Sequence, residues 1–185
     1  MNRVFGVLCF IVGAILFAGG ASGNQVLVGE FSKSDLDGWA EKVFSGKTSY
    51  IIATLRNKMV LKAESSSSAS CLIKKTSVDI REYPYLNWSW RIENRFVSTN
   101  KDLKSSDDYA ARIFVVIDGG LLLWKAKAVN YVWAASQAGE NEIWPSPFAG
   151  NNSMMVALRT STDKLSTWYD EKRNVYEDVK NLYGS

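Results

Sequence analysis

The stretch "SSDDYAARIFVVID", Ser105–Asp118, sets two adjacent acids and an arginine at the head of an apolar run. Asp107 and Asp108 are the types of side chain that serve as acid and base on a glycosidic bond. That chemistry needs two carboxyl groups facing each other across the substrate, about 5–10 Å apart. Adjacent residues of an extended segment point to opposite sides, so this pair is poorly placed to flank one bond. Asp107 keeps a reading as a ligand-binding residue. The favoured reading is architectural. Arg112 shares a strand face with Phe114 and Val116, so its guanidinium is expected to be partly buried. A buried charge must be paired and hydrogen-bonded. Asp108, four residues away, is the expected partner, with Arg91 as a second cation in the same ion-pair network. No catalytic residue is assigned.

The residues that are missing narrow the chemistry further. There is no histidine among the 185 residues. That removes Ser-His-Asp and Cys-His nucleophile systems, the usual zinc sites and histidine general bases. Only Cys9 and Cys71 are cysteines, too few for a thiolate cluster. No GxxxxGK[ST] loop is present, and no GxGxxG follows a strand. No metal and no cofactor is expected. An enzyme built from this chain is left with carboxylate, lysine, serine or tyrosine chemistry. The net charge is +3, with acids and bases mixed along the chain and no Lys/Arg-rich block. A nucleic-acid partner normally needs a basic patch or stripe, so none is expected.

Aromatic residues offer a second kind of site. The chain has seven tryptophans, and an aromatic face suits the apolar C–H face of a sugar ring. Trp88 and Trp90 alternate with Leu86 and Ile92, which assigns them to a core. Trp144 stands in the proline-bounded "EIWPSPF" and is expected to be an exposed contact. Tyr131 and Trp133 share one strand face, with core and ligand both open. Trp144, Trp133, Tyr131 and Asp107 are therefore the ligand-binding candidates.

The elements that must position these residues are mostly strands. Residues 1–23 are set apart first. Arg3, the apolar "VFGVLCFIVGAILFAGG" and the small residues of "ASG" read as a signal peptide cleaved between Gly23 and Asn24. No membrane contact is expected beyond that leader. Cys71 then remains as the one cysteine, a small hydrophobe in "ASCLI". In the mature segment 24–185, "TSYIIATL" and "MVLKAE" flank a polar "RNK" turn, which suits a hairpin. "SSSSAS" reads as a loop or the start of a strand, and "CLIKKTSVDI" as a strand ended at "REYP". "YLNWSWRIE" alternates cleanly, and "YAARIFVVID" is apolar on both faces, as in a strand covered on both sides. "NRFVSTNKDLKSSDD" and "GENEIWPSPFAGN" read as loops. "GGLLLWKAKAVNYVWAAS" and "SMMVALRTS" supply further strands. In the tail, Trp168, Val175, Val179 and Leu182 fall at roughly helical spacing. Seven or eight short strands and one short C-terminal helix predict an all-β single domain, a β-sandwich of jelly-roll type.

The segments "GWAEKVFSGKTSY", "SSASCLIKK", "YPYLNWSWRIE", "DDYAARIFVVID", "NYVWA" and "WYDEKRNVYEDVKNLYG", in this order and spacing, resemble the bacterial domain of unknown function 3047 family. The resemblance covers nearly all of the mature segment. It implies an exported protein of Gram-negative bacteria, periplasmic or secreted, with a galactose-binding-like sandwich and no assigned activity. Members usually continue past "LYG" with an acidic segment and a final strand, so the resemblance also implies that this chain lacks its last strand. The functional expectation is a non-catalytic carbohydrate or envelope-glycan-binding module. The alternatives are an envelope structural or protein-interaction module, and a histidine-independent glycosidase or lyase using carboxylates.

Overall fold

The computed structural model describes residues 3–9, 12–18, 24–95, 107–117, 126–134 and 138–184, and for the first two segments the backbone alone. The polar stretch 96–106 and Trp124 with its neighbours lie outside the described residues. Among the described residues the protein is all-β with one short α-helix. Its strands are β1 (Arg3–Cys9), β2 (Val12–Ala18), β3 (Gln25–Gly29), β4 (Trp39–Ser45), β5 (Ser49–Leu55), β6 (Lys58–Glu64), β7 (Ala69–Asp79), β8 (Tyr85–Trp90), β9 (Ala111–Ile117), β10 (Lys127–Trp133), β11 (Ile143–Ser146), β12 (Gly150–Arg159) and β13 (Tyr169–Asn174); α1 is Val175–Tyr183.

A seven-stranded sheet runs β11-β12-β10-β9-β1-β7-β4, and a four-stranded sheet runs β13-β8-β2-β3. The hairpin β5-β6 stands apart as a two-stranded sheet. The β10–β12 pair is parallel; the other ladders are antiparallel. The two residues that turn the hairpin, Arg56 and Asn57, both take positive φ, 48° and 64°. That is the twist a two-residue hairpin loop requires, and Asn tolerates it well. The segment read as a leader contributes backbone to both larger sheets: β1 lies between β7 and β9, and β2 between β8 and β3.

The core lies where the two larger sheets meet. Trp88 and Trp90 alternate inward along β8, and Tyr131 and Trp133 do so along β10. Ring centroids are 5.4 Å apart for Trp88–Tyr131 and 5.8 Å for Trp90–Trp133. The period-2 pattern of "YLNWSW" thus places its indoles in the interior, as its alternation predicted.

Two stretches fold differently from their sequence expectation. "EIWPSPF" holds a strand, β11, not only a loop. Pro145 is tolerated because β11 is the outermost strand of its sheet, where one side of the backbone has no ladder to feed. In the tail, 169–174 form β13, paired with β8 from Tyr169↔Trp90 to Asn174↔Tyr85, and the helix begins only at Val175. Asn174 sets that boundary: its side chain accepts from the Glu177 N–H at 3.0 Å, an N-cap that starts a helix at the next residue. Val175 and Val179 then bury against the core, and Gly184 closes the helix at φ 69° with its N–H on the Lys180 carbonyl.

Candidate functional site

β9 explains why "YAARIFVVID" is apolar on both faces. Ala111, Ile113, Val115 and Ile117 are buried in the core, while Arg112, Phe114 and Val116 are only half-buried. Among the described residues no further layer covers the second face. That face floors a groove of about 520 Å³.

The floor continues on β7 through Ala69, Cys71 and Ile73, and on β4 through Lys42 and Phe44. The β5-β6 hairpin supplies a wall with Thr48, Tyr50 and Ala63. That wall is tied down at two points. The Tyr50 hydroxyl donates to the Ser70 carbonyl at 2.7 Å, and the Thr48 N–H donates to Ser70 Oγ at 3.1 Å. Ser70 Oγ in turn donates to Glu41 at 2.7 Å, linking β7 to β4. The rim is polar: Ser65, Ser68, Asn94, Asp107 and Asp108. Apolar floor, aromatic side chains and polar rim come from five strands and three loops.

Asp107 and Arg112 carry the charge at one end. The Arg112 Nη2 donates to Asp107 Oδ1 at 2.9 Å and to the Asp107 carbonyl at 3.2 Å. The same guanidinium sits 4.5 Å over the Tyr109 ring, a cation–π contact that fixes its plane. This corrects the expected pairing. The partner of Arg112 is Asp107, not Asp108: strand alternation would put Asp108 on the Arg112 face, but residues 107–110 precede β9 and do not continue it, and Asp108 is left exposed. Among the described residues Arg91 shares no ion pair with Arg112 either. It is buried and donates through Nε to Glu93 at 2.8 Å, and Glu93 also accepts from Ser166. The substitution Asp107→Asn is therefore expected to lower stability by about 1–2 kcal/mol. Asp108→Asn is expected to stay within about 0.5 kcal/mol. Urea titration of the two variants separates them, and equal losses would return the pairing to Asp108.

Tyr109 is shaped by the same surroundings. Burial, and after it the Asp107 charge, push its phenol up to about 12. An unfolded tyrosine loses its proton near pH 10, so the folded state holds that proton longer. The resulting stability is fully present below pH 10 and is lost as pH rises from 10 to 12. Denaturation midpoints followed across that window should fall more steeply in the native protein than in Tyr109→Phe.

The aromatic candidates read from the sequence are interior. Trp144 is buried in a small cluster with Tyr109, Val132 and Met155, its ring 6.4 Å from that of Tyr109. Strand β11 exposes Ile143 and Pro145 and turns Trp144 inward, so the expected exposed contact does not form. Trp133 is buried, with its indole N–H on the Thr160 carbonyl at 3.1 Å. Tyr131 is buried, with its hydroxyl donating to Asp178 at 2.6 Å. Asp107 alone of the four ligand-binding candidates lines the groove. The aromatics that do line it, Phe44, Tyr50, Tyr109 and Phe114, were not singled out. One signal pointed to Phe114: the unexplained second apolar face of its strand.

A family model described as protein of unknown function (DUF3047) matches residues 37–185, which include every groove residue named above. No curated protein and no solved structure matches the chain.

Proposed function

We propose that this chain, which belongs to the DUF3047 family of proteins of unknown function, is an exported β-sandwich of galactose-binding type whose groove holds a glycan of the cell envelope. The observation that carries the reading is the groove's composition. Sugar rings present apolar C–H faces and hydroxyl edges together. Phe44, Phe114, Val116 and Ile73 offer the first a surface, and Asn94, Asp107, Asp108 and Arg112 offer the second donors and acceptors. The volume, about 520 Å³, lies in the range of about 300–1,000 Å³ of small-ligand sites. Two sheets that meet through the indoles of β8 and the rings of β10 support the sandwich assignment. Arg3, the apolar run and "ASG" support export to the periplasm or beyond, with Asn24 as the mature N-terminus.

The reading is binding, not hydrolysis. The carboxylates that line the groove, Asp107 and Asp108, are sequence neighbours, and Asp107 is held by Arg112. Among the described residues no second carboxylate stands across the groove from them in its lining, where an acid–base pair would need one.

Calorimetric titration of the periplasmic protein with a panel of envelope oligosaccharides tests this. At least one should bind, and Arg112→Ala should weaken that binding by roughly tenfold or more, the loss of a charge-assisted hydrogen bond. A panel without any response contradicts the reading.

A further inference from the structure

The seven-stranded sheet is held together through β1. On one side stand β11, β12, β10 and β9, and on the other β7 and β4. Among the described residues no ladder joins β7 to β9 directly. The β1 backbone pairs with both: Val7 stands opposite Ile73 on β7 and Phe114 on β9, and Leu8 opposite Leu72 and Ile113. Because β1 is antiparallel to each, β7 and β9 run parallel to one another, two strand spacings or about 10 Å apart.

Removal of the leader takes β1 away from this sheet, and β2 from its place between β8 and β3. Two rows of backbone N–H and C=O groups, along 72–79 and 112–117, are then left facing each other across a gap one strand wide. Unpaired backbone groups inside a sheet are costly, and an open strand edge is a template for another chain. Direct closure is opposed by the core. β9 to β12 are fixed to the four-stranded sheet by the rings of Tyr131 and Trp133 against Trp88 and Trp90, and β8 follows β7 after a short turn at 80–84. Sliding β9 onto β7 by one strand spacing breaks those contacts.

We infer that the mature protein is a strand acceptor: the slot between β7 and β9 takes an extended segment donated by another polypeptide, antiparallel to both. This rests on the export reading and deepens it. The occupant is a polypeptide because both rows repeat at the strand spacing of about 3.4 Å, and an extended backbone answers both at once. The segment is about six residues long, free of proline and predominantly apolar, since one of its faces meets the core and the other the groove. Ile73 and Phe114, which pair across the slot, both line the groove. The donated strand therefore completes the groove floor.

The test uses mature protein from the periplasm and a synthetic peptide carrying Arg3–Cys9 with a soluble lysine tail. Intact mass defines the N-terminus first. Hydrogen exchange is then followed at 72–79 and 112–117, with and without peptide. A chain beginning at Asn24 should exchange fast at the slot-facing amides of both stretches, the others remaining paired with β10 and β4. Those amides should slow at least tenfold in both stretches when the peptide is added, while a peptide with Val7→Pro has no effect. If the mature chain is insoluble alone, solubility rescued by the native peptide and not by the proline variant supports the same conclusion. Both stretches already protected without peptide, slowing in one stretch only, or equal action of the proline variant overturns the strand acceptor and leaves export standing. A mature chain that still begins at Met1 overturns both, since the slot never opens.

Discussion

Trp133→Ala is expected to lower the unfolding free energy by about 3–5 kcal/mol, the range for removing a buried large aromatic. Trp133 is 1% exposed. Its ring lies 5.8 Å from Trp90 on the facing sheet and 5.4 Å edge-on from Tyr169. Truncation leaves a cavity between the sheets and strips the Thr160 carbonyl of its indole donor. Trp133→Phe keeps most of the ring contact and loses the hydrogen bond, so it should cost less, about 1–2 kcal/mol. Urea denaturation followed by circular dichroism gives both numbers. The pair also decides between core and ligand roles. A loss below about 1 kcal/mol in Trp133→Ala, accompanied by a fall in glycan affinity, would return Trp133 to the ligand site.

Glu171→Ala is expected to cost about 3 kcal/mol. One oxygen, Glu171 Oε1, accepts from the Trp90 indole at 2.9 Å and from Arg159 Nε at 2.7 Å. Trp90 is on β8, Glu171 on β13 and Arg159 on β12, so this carboxylate joins the four-stranded sheet to the seven-stranded one. Both partners are well shielded, with side-chain exposures of 22% for Arg159 and 10% for Glu171. Removing the acid leaves the guanidinium stacked on Tyr169 with Asp163 at 3.4 Å as its remaining ion-pair partner. Glu171→Gln keeps an oxygen acceptor and should lose less than half as much. Because the pair is shielded, the difference between the two variants should persist at high salt. Equal losses from Ala and Gln would show that only the charge matters and that the indole hydrogen bond contributes nothing.

Much of the interior was legible because it depends on local alternation. Trp88 and Trp90 were assignable to the core from "YLNWSW" alone, since a half-buried strand repeats every two residues. The hairpin at Arg56–Asn57 was legible for the same reason, with a polar turn between alternating strands. The failures share a cause in partners distant in sequence. Trp144 was read as exposed because its prolines suggested a loop; its strand exists through pairing with β12, at an edge where proline is tolerated. Tyr169–Asn174 carries the polar residues Asp170, Glu171, Lys172 and Arg173 and looks like a helix face. Its strand state comes from β8, eighty residues earlier in the chain. The choice between Asp107 and Asp108 turned on the path of residues 107–110, which lie before β9 and do not continue its alternation, and spacing to Arg112 does not encode that path. The groove was the least legible feature. Phe44, Tyr50, Ile73 and Phe114 come from four strands whose neighbours are set by sheet order, and only the doubly apolar face of β9 hinted that something lay over it.

The measurement that tests the central claim most directly is an aromatic-region NMR titration of the mature protein with the oligosaccharide that binds best by calorimetry. A glycan in the groove should shift the ring signals of Phe44, Tyr50, Tyr109 and Phe114, while the indole N–H signals of Trp88, Trp90 and Trp133 stay in place. Shifts centred on those three indoles, or saturating binding that moves none of the four groove rings, would contradict it.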